Sequence, residues 1–133
     1  MPFVLDASIS ACWAFKDEDH PKAIKALDEL KHTSCLVPAI WWFEIRNIIV
    51  INERRNRITT QQGTAFLRRV SQLGIIEDSE VDGEQALHLA RLHRLTIYDA
   101  AYLELAQRKH LPLATLDSEL LRAAKAESVA LLE

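Results

Sequence analysis

Short apolar runs alternate along this chain with longer segments of helical periodicity, an order typical of an α/β domain built on a parallel sheet. Five runs are short enough to be buried strands, and the first four lead into a polar or turn-forming residue. They are Phe3–Leu5, Cys35–Val37, Gly74–Ile76, Leu113–Leu116 and Val129–Leu132. We therefore expect a parallel sheet of four or five short strands.

The segments between these runs predict helices, several of which have recognisable first turns. Pro21 begins a segment whose apolar residues form one stripe on a helix. Thr59 with Gln62, and Asp82 with Gln85, have the spacing of a capping box, in which two side chains satisfy backbone N–H groups of the first turn. The predicted helices cover residues 21–30, 39–55, 59–73, 82–93, 98–109 and 118–126.

The helix predicted over 39–55 differs from the others because its apolar residues occupy nearly every angle around the axis. Its sequence, AIWWFEIRNIIVIN from Ala39 to Asn52, has a carboxylate at Glu44 and an amide at Asn47 in its middle. A helix that is apolar all round is buried on more than one side. Two interpretations stay open: a central core helix, or a helix whose outer surface is covered by another protein molecule.

Composition limits the class of protein. The 133 residues include 49% hydrophobic and 26% charged residues, which fits one globular domain over 1–133. A net charge of −3 argues against a generally basic nucleic-acid coat but allows a local basic strip. Only Cys12 and Cys35 are present, so neither a disulfide framework nor a zinc site is indicated. With no secretory signal and no apolar run of about 20 residues, we expect a soluble, cytoplasmic protein without a membrane segment.

Four acidic residues are expected at one edge of the sheet. Asp6 directly follows the first strand, and Asp117 follows the fourth. Asp99 lies at the start of a helix, and Glu44 lies about one turn into the helix that follows the second strand. Open α/β sheets bind ligands at the carboxyl ends of their strands, so these side chains can converge there. Because converging carboxylates repel one another, convergence implies a divalent cation.

Each acid also has an ordinary structural explanation. Asp117 could be a helix N-cap, and the three-residue spacing of Thr96 and Asp99 could be a capping box. Asp6 could end its strand in a turn. Glu44 has no such local role, and its alternative is a salt bridge to a distant arginine.

Carboxylates without histidine or cysteine suit Mg²⁺ or Mn²⁺, ions that can polarise a phosphoryl oxygen and activate water for nuclease chemistry. Ser8 and Thr115 lie near Asp6 and Asp117 in sequence and could hydrogen-bond a carboxylate, although a turn or strand-edge role is equally compatible. Arginines, which bind phosphate well, occur in three groups. The alternative is that these arginines only form a solvated charged surface. They are Arg54, Arg55 and Arg57; Arg68 and Arg69; and Arg91 and Arg94.

Three stretches resemble the PIN-domain ribonucleases, and more narrowly the VapC-type toxins of prokaryotic toxin–antitoxin pairs. They are FVLDASISACWAF, VPAIWWFEIRN and LTIYDAAYLELAQRKHLPLATLDSELLRAA, and the resemblance covers almost the whole chain. It implies a Mg²⁺ or Mn²⁺ site that is also the catalytic site, with three supporting residues. The site residues would be Asp6, Glu44, Asp99 and Asp117, and the supporting residues Ser8, Asn47 and Thr115.

The same resemblance implies a three-layer α/β/α sandwich, commonly homodimeric, that acts as an endoribonuclease on RNA and is neutralised by a small antitoxin protein. It places partner contact in the region of the apolar helix, from Ile40 to Ile51. One departure is that Ala126, Glu127 and Ser128 stand where a glycine often precedes the last strand. This departure affects a turn and leaves the four acids unchanged.

Two other classes of protein are alternatives to a metal-dependent nuclease. Aspartyl phosphotransferases also carry an aspartate after the first strand, but they need a second nearby aspartate or a late lysine that VLDASIS and Leu113–Asp117 do not supply. The alternative of another kind is a catalytically silent PIN-like interaction module, in which the acids remain as helix caps and the protein sequesters a partner.

Overall fold

The computed structural model describes residues 1–15 and 20–132, and it contains a parallel sheet flanked by helices. The strands are β1 (Phe3–Leu5), β2 (Cys35–Pro38), β3 (Ile75–Asp78) and β4 (Leu113–Ala114). The helices are α1 (Ala7–Cys12), α2 (Pro21–Glu29), α3 (Ile40–Arg54), α4 (Thr60–Ser71), α5 (Gly83–His93), α6 (Ile97–Lys109) and α7 (Ser118–Ala126). No helix in these ranges combines the length and the apolar character needed to cross a membrane.

The sheet has the strand order β3-β2-β1-β4, and all its pairings are parallel. From β1 the chain moves outward through β2 to β3, then returns across the sheet to β4. Because parallel crossovers are right-handed, helices of the outward and return paths cover opposite faces. This produces the predicted α/β/α layering, with the strand order reversing between β1 and β4. Such a reversal point is where open α/β sheets form their ligand crevice.

The core surrounds β1 and α6. All three residues of β1 are fully buried, as expected for a strand with paired neighbours and helices on both faces. Helix α6 packs against β1, β2 and β4, and the residues from Tyr102 to Ala106 are all buried. The residues that follow β1 and begin α6 are therefore attached to the buried core of the molecule.

The predicted elements are largely confirmed, with three differences. Strand β4 ends at Ala114, and the predicted fifth strand forms only an isolated bridge between Leu113 and Leu131. This last apolar run follows a turn in which Ser128 adopts a φ of 58°, in the stretch where proteins that this chain resembles often have a glycine. Helix α1 was not predicted, because its six residues are too few to show a helical period.

The two predicted capping boxes have different outcomes. At α4, Thr59 accepts the backbone N–H of Gln62, and the side chain of Gln62 accepts that of Thr59. At α5, Asp82 accepts the N–H of Gln85, but the side chain of Gln85 donates to Gln107 on α6 instead. The second box is therefore only half formed.

A cluster of charges joins the end of β3 to α6, and we call Asp78, Glu104, Arg108 and Lys109 the Arg108 cluster. The side chain of Glu104 is almost fully buried, and its Oε2 accepts from Nε of Arg108 at 2.7 Å. Arg108 also donates from Nη2 to Asp78 at 3.0 Å, and this hydrogen bond holds the pKa of Asp78 below its usual range. Buried carboxylates are thus paired with a cation here, as their desolvation requires.

Candidate functional site

Asp6 lies at the exit of β1, where its backbone is the N-cap of α1. It is 4% exposed, and its Oδ2 accepts hydrogen bonds from Ser8 Oγ and Thr115 Oγ1, each at 2.7 Å. Burial raises the pKa of Asp6, the two hydroxyl groups oppose this shift, and the charge of Asp117 adds to it. The structure therefore brings both predicted supporting hydroxyls to the same carboxylate oxygen.

Backbone N–H groups after β4 orient these two hydroxyls. Ser8 Oγ accepts the N–H of Leu116 at 2.9 Å, and Thr115 Oγ1 accepts that of Asp117 at 3.0 Å. A hydroxyl that accepts a backbone N–H keeps its own proton available for another acceptor, which here is Asp6. The exits of β1 and β4 are thus connected through side chains at the reversal point of the sheet.

Asp117 is the N-cap of α7, and its Oδ1 accepts the N–H of Leu120 at 2.9 Å. The ordinary capping role considered for this residue is therefore present. Its charge nevertheless raises the pKa of both Asp6 and Asp99, so the same carboxylate is close to the other acids. Capping and membership of an acidic site are compatible at this position.

Asp99 lies in the first turn of α6, where Thr96 caps the helix by accepting the N–H of Asp99 at 3.1 Å. Partial burial raises the pKa of Asp99 to about 6, with further contributions from the charges of Asp117 and Asp6. The hydrogen bond between Asp99 and Thr96 opposes this shift only in part. Repulsion from neighbouring carboxylates is the expected consequence of acids converging from three different elements.

Glu44 is partly buried on α3 and accepts a hydrogen bond at Oε1 from the hydroxyl of Tyr102, with an O–O distance of 2.5 Å. Burial raises the pKa of Glu44, and the charges of Asp6 and Asp99 raise it further. Within residues 1–15 and 20–132, no lysine, arginine or histidine forms an ion pair with Glu44. The salt-bridge alternative is therefore wrong for the described part of the chain.

Tyr102 is the site residue that sequence reasoning missed. It lies three residues after Asp99 on α6, so both side chains are on the same side of the helix. A tyrosine inside YDAAYLELA has the pattern of an ordinary core residue, and its contact with Glu44 spans 58 positions of sequence. The only local signal was its spacing from Asp99.

Asn47 is not brought into the hydrogen-bond network. It is exposed one turn beyond Glu44, and within the described residues its side chain makes no hydrogen bond. The outer face of α3 is nevertheless apolar, since Trp42, Phe43 and Val50 are exposed while Trp41, Ile45 and Ile49 are buried. We call Trp42, Phe43 and Val50 the α3 outer face. The helix is thus both a core element and an apolar surface.

The donor chemistry of the four acids fits a hard divalent ion, because all four offer carboxylate oxygens. In the part of the chain that the structure describes, none of the four is ion-paired with a cationic side chain. The acids also raise one another's pKa values: the charge of Asp117 acts on Asp6 and Asp99, and the charge of Asp6 acts on Asp99 and Glu44. However, no three histidine, cysteine, aspartate or glutamate side chains of the described residues are grouped closely enough to hold one ion. The chemistry and the charge of the four acids therefore fit a divalent metal ion, whereas their side-chain positions in this structure are too far apart to surround one.

A separate groove of about 810 Å³ lies between the end of α1, α2 and the start of α4. Its lining includes Trp13, Phe15 and Ile24, with Arg57 and Arg69 among the polar residues. The guanidinium of Arg57 lies 4.5 Å from the ring centroid of Phe15. None of the four acids lines this groove, so it is distinct from the acidic site.

Comparisons with known proteins agree with this architecture. A family described as PIN domain matches residues 3–126. The structure of PAE2754 from Pyrobaculum aerophilum is 22% identical, with a TM-score of 0.78 over 98% of this chain and 88% of that one. FitAcB from Neisseria gonorrhoeae is 18% identical, with a TM-score of 0.68 over 100% and 97% of the two chains.

A third solved structure, a toxin–antitoxin complex from Klebsiella pneumoniae, is 22% identical, with a TM-score of 0.58 over 84% of this chain and 82% of that one. At these identities the three structures establish a shared fold. No curated protein has a significantly similar sequence.

Proposed function

This chain belongs to the PIN-domain family, and from that premise we propose that it is a metal-dependent endoribonuclease, the toxin of a type II toxin–antitoxin pair. PIN domains are generally nucleases. The observation that carries the proposal is that Asp6, Glu44, Asp99 and Asp117 approach the reversal point of the sheet from different elements, where burial and the charges of neighbouring acids raise the pKa values of the first three. We call these four residues the acidic site.

Asp6, Asp99 and Asp117 would hold Mg²⁺ or Mn²⁺, and Glu44 would complete the shell directly or through water. When bound, the ion supplies positive charge beside the scissile phosphate, polarises a phosphoryl oxygen and makes water a better nucleophile. Ser8 and Thr115 fix the orientation of Asp6 by donating to its Oδ2. RNA phosphates would be repelled by the uncompensated carboxylates, so cation binding and substrate binding are expected to be coupled.

Two exposed apolar surfaces support the proposal of protein partners, namely a small antitoxin and a second copy of the chain. One is the α3 outer face, where Phe43 is 63% exposed and Trp42 is 46% exposed. The other is the groove beside α2, where Ile24 is 54% exposed. Groups of large exposed apolar side chains are typical of interaction sites. The fold shared with a structure described as a toxin–antitoxin complex also supports an antitoxin partner.

The nuclease proposal is tested with purified protein, labelled RNA and Mn²⁺ or Mg²⁺. Asp99→Asn keeps the shape of the side chain but removes its charge, and we expect cleavage to fall by more than about a hundredfold, because even indirect metal partners contribute 10–100-fold. Asp82→Asn is the matched control, since it makes the same change in an exposed helix cap, where asparagine is also a good cap. Cleavage that persists in Asp99→Asn or in excess chelator contradicts a metal-dependent nuclease. It would leave a PIN-like interaction module as the better explanation.

The toxin proposal is tested separately in cells. Expression of the chain alone should arrest growth, Asp99→Asn at the same protein level should not, and co-expression of a small neighbouring reading frame should relieve the arrest. Normal growth in the presence of soluble, intact wild-type protein would argue against a toxin while leaving the nuclease proposal standing.

A further inference from the structure

Tyr102 makes a contact with the acidic site whose consequence goes beyond stability. We propose that Tyr102 is a positioning residue that holds one oxygen of Glu44 and thereby makes the site prefer the smaller ions Mg²⁺ and Mn²⁺ over Ca²⁺. The inference deepens the proposed function and rests on its metal site.

The geometry limits which carboxylate oxygen of Glu44 can bind a metal ion. Tyr102 is 0% exposed, so its hydroxyl has no access to bulk water and must find its partner inside the protein. It donates to Glu44 Oε1 at an O–O distance of 2.5 Å, the short end of the range for a hydroxyl bound to an ionised carboxylate. Glu44 therefore has Oε1 engaged, and Oε2 is the oxygen it can present to the acidic site.

The position of the hydroxyl is set from three directions. Tyr102 is carried by α6 against the sheet and Glu44 by α3, and the backbone of Ala7 at the start of α1 lies close enough to the tyrosine hydroxyl to lower its pKa. The charges of Asp6 and Glu44 both raise the pKa of Tyr102, so the hydroxyl lies near both carboxylates. A contact fixed by three elements can constrain a carboxylate more tightly than one exposed side chain could.

A carboxylate that offers one oxygen discriminates between divalent ions. Ca²⁺ takes six to eight oxygen ligands and often binds a carboxylate through both oxygens, whereas Mg²⁺ needs a near-octahedral shell and retains waters. With Oε1 bound to Tyr102, two-oxygen coordination by Glu44 is disfavoured. Tyr102→Phe removes the hydroxyl, frees Oε1 and should relax this discrimination.

Calorimetric titration of the full chain with Mn²⁺ alone and with Ca²⁺ alone tests the inference. In Tyr102→Phe we expect Mn²⁺ affinity to fall by about tenfold, as for other groups that orient a metal ligand. Ca²⁺ affinity should fall less than Mn²⁺ affinity. The preference for Mn²⁺, measured as the ratio of the Ca²⁺ dissociation constant to the Mn²⁺ dissociation constant, should therefore decrease. The matched control is Tyr98→Phe, which removes the only other tyrosine hydroxyl of the chain from an exposed position on the same helix, and it should keep the wild-type ratio.

Variants at Glu44 keep the test decisive if Tyr102→Phe folds poorly. Glu44→Asp shortens the side chain and draws the carboxylate away from Tyr102, so it should shift the ratio in the same direction. In a Glu44→Ala background, adding Tyr102→Phe should produce no further shift, because the carboxylate that the hydroxyl holds is absent.

The outcomes separate the two proposals. If Tyr102→Phe lowers the affinities for Mn²⁺ and Ca²⁺ by the same factor, the role of Tyr102 is purely structural and the inference is overturned. An unchanged ratio of the two dissociation constants also overturns it. A further shift in the Glu44→Ala background also overturns it, since Tyr102 would then act through another group. Failure of the wild-type chain to bind Mn²⁺ defeats the metal site of the proposed function and the inference together.

Discussion

Helix α6 connects two groups of buried and partly buried acids, and their charges are compensated in one group and left uncompensated in the other. Near its end, the Arg108 cluster surrounds Glu104 and Asp78 with Arg108 and Lys109, and the pKa of Asp78 is lowered. At its start, Asp99 belongs to the acidic site, and its pKa is raised to about 6. In the described residues, the acidic site contains no paired cationic side chain.

The difference distinguishes structural acids from candidate functional ones. A buried carboxylate without a cation destabilises the fold, so its presence needs a reason other than stability. The Arg108 cluster compensates its charge internally and has no need for a ligand. The acidic site keeps its repulsion and holds its carboxylates in place with hydroxyl groups, which orient them without neutralising them.

The largest expected effect comes from removing the cation of the compensated cluster. Arg108→Met leaves the buried Glu104 without a cation and leaves Asp78 with Lys109 alone, and we expect the free energy of unfolding to fall by about 3 kcal/mol, the low end for a broken buried pair because Arg108 is partly exposed. Urea unfolding measures this value. Arg68→Met, at an exposed position on α4, is the control, and an equal effect of the two substitutions would show that the cluster is not compensated as described.

An intermediate effect is expected from removing a hydroxyl that orients Asp6. Thr115→Val keeps the side-chain shape but deletes a donor to the carboxylate and an acceptor for the N–H of Asp117, which should cost about 2 kcal/mol of unfolding free energy at pH 7. Thr115→Ser retains the hydroxyl and should cost clearly less. If serine and valine are equally destabilising, packing of the threonine methyl group is what matters at this position.

The smallest effect is a gain in stability that depends on pH. Because the pKa of Asp99 is about 6 in the fold and 3.8 as the ordinary value, ionised Asp99 destabilises the metal-free protein as pH rises between these values. Asp99→Asn removes this cost, so in chelator at pH 8 we expect a gain of about 1 kcal/mol, discounted for solvent screening. Most of the gain should be gone at pH 4.

Urea unfolding of both proteins at pH 4, 6 and 8 measures this difference, with Asp82→Asn as the control for the substitution itself. An Asp99→Asn gain that is the same at all three pH values would mean that repulsion at the acidic site is not its source.

Much of the fold and the four acids of the candidate site could be predicted from sequence. The resemblance to PIN domains and the α/β/α fold are both confirmed. Asp6 and Asp117 were found because each follows an apolar run directly, and in a parallel sheet all such positions share one edge. Helix α1 and the weak pairing of the last apolar run were missed, because a six-residue helix and a two-residue partner strand leave little periodic signal.

Hydrogen-bond partners could not be predicted in the same way. Glu44 was expected to find either a metal or an arginine, and its partner in the fold is Tyr102. Ser8 and Thr115 were candidates to hydrogen-bond a carboxylate or metal-bound water, but their convergence on one oxygen of Asp6 was not foreseen.

The sequence by itself determined the helices other than α1, the first three strands, the caps at Thr59 and Asp82, and the placement of acids after strands. All of these depend on residues that are neighbours along the chain. Only the tertiary structure decided which side of α3 is exposed, which acids are compensated, and which hydroxyl each carboxylate accepts from. The reason is that the strand order β3-β2-β1-β4 brings together residues as distant as Asp6 and Thr115, 109 positions apart, and no local pattern encodes that contact.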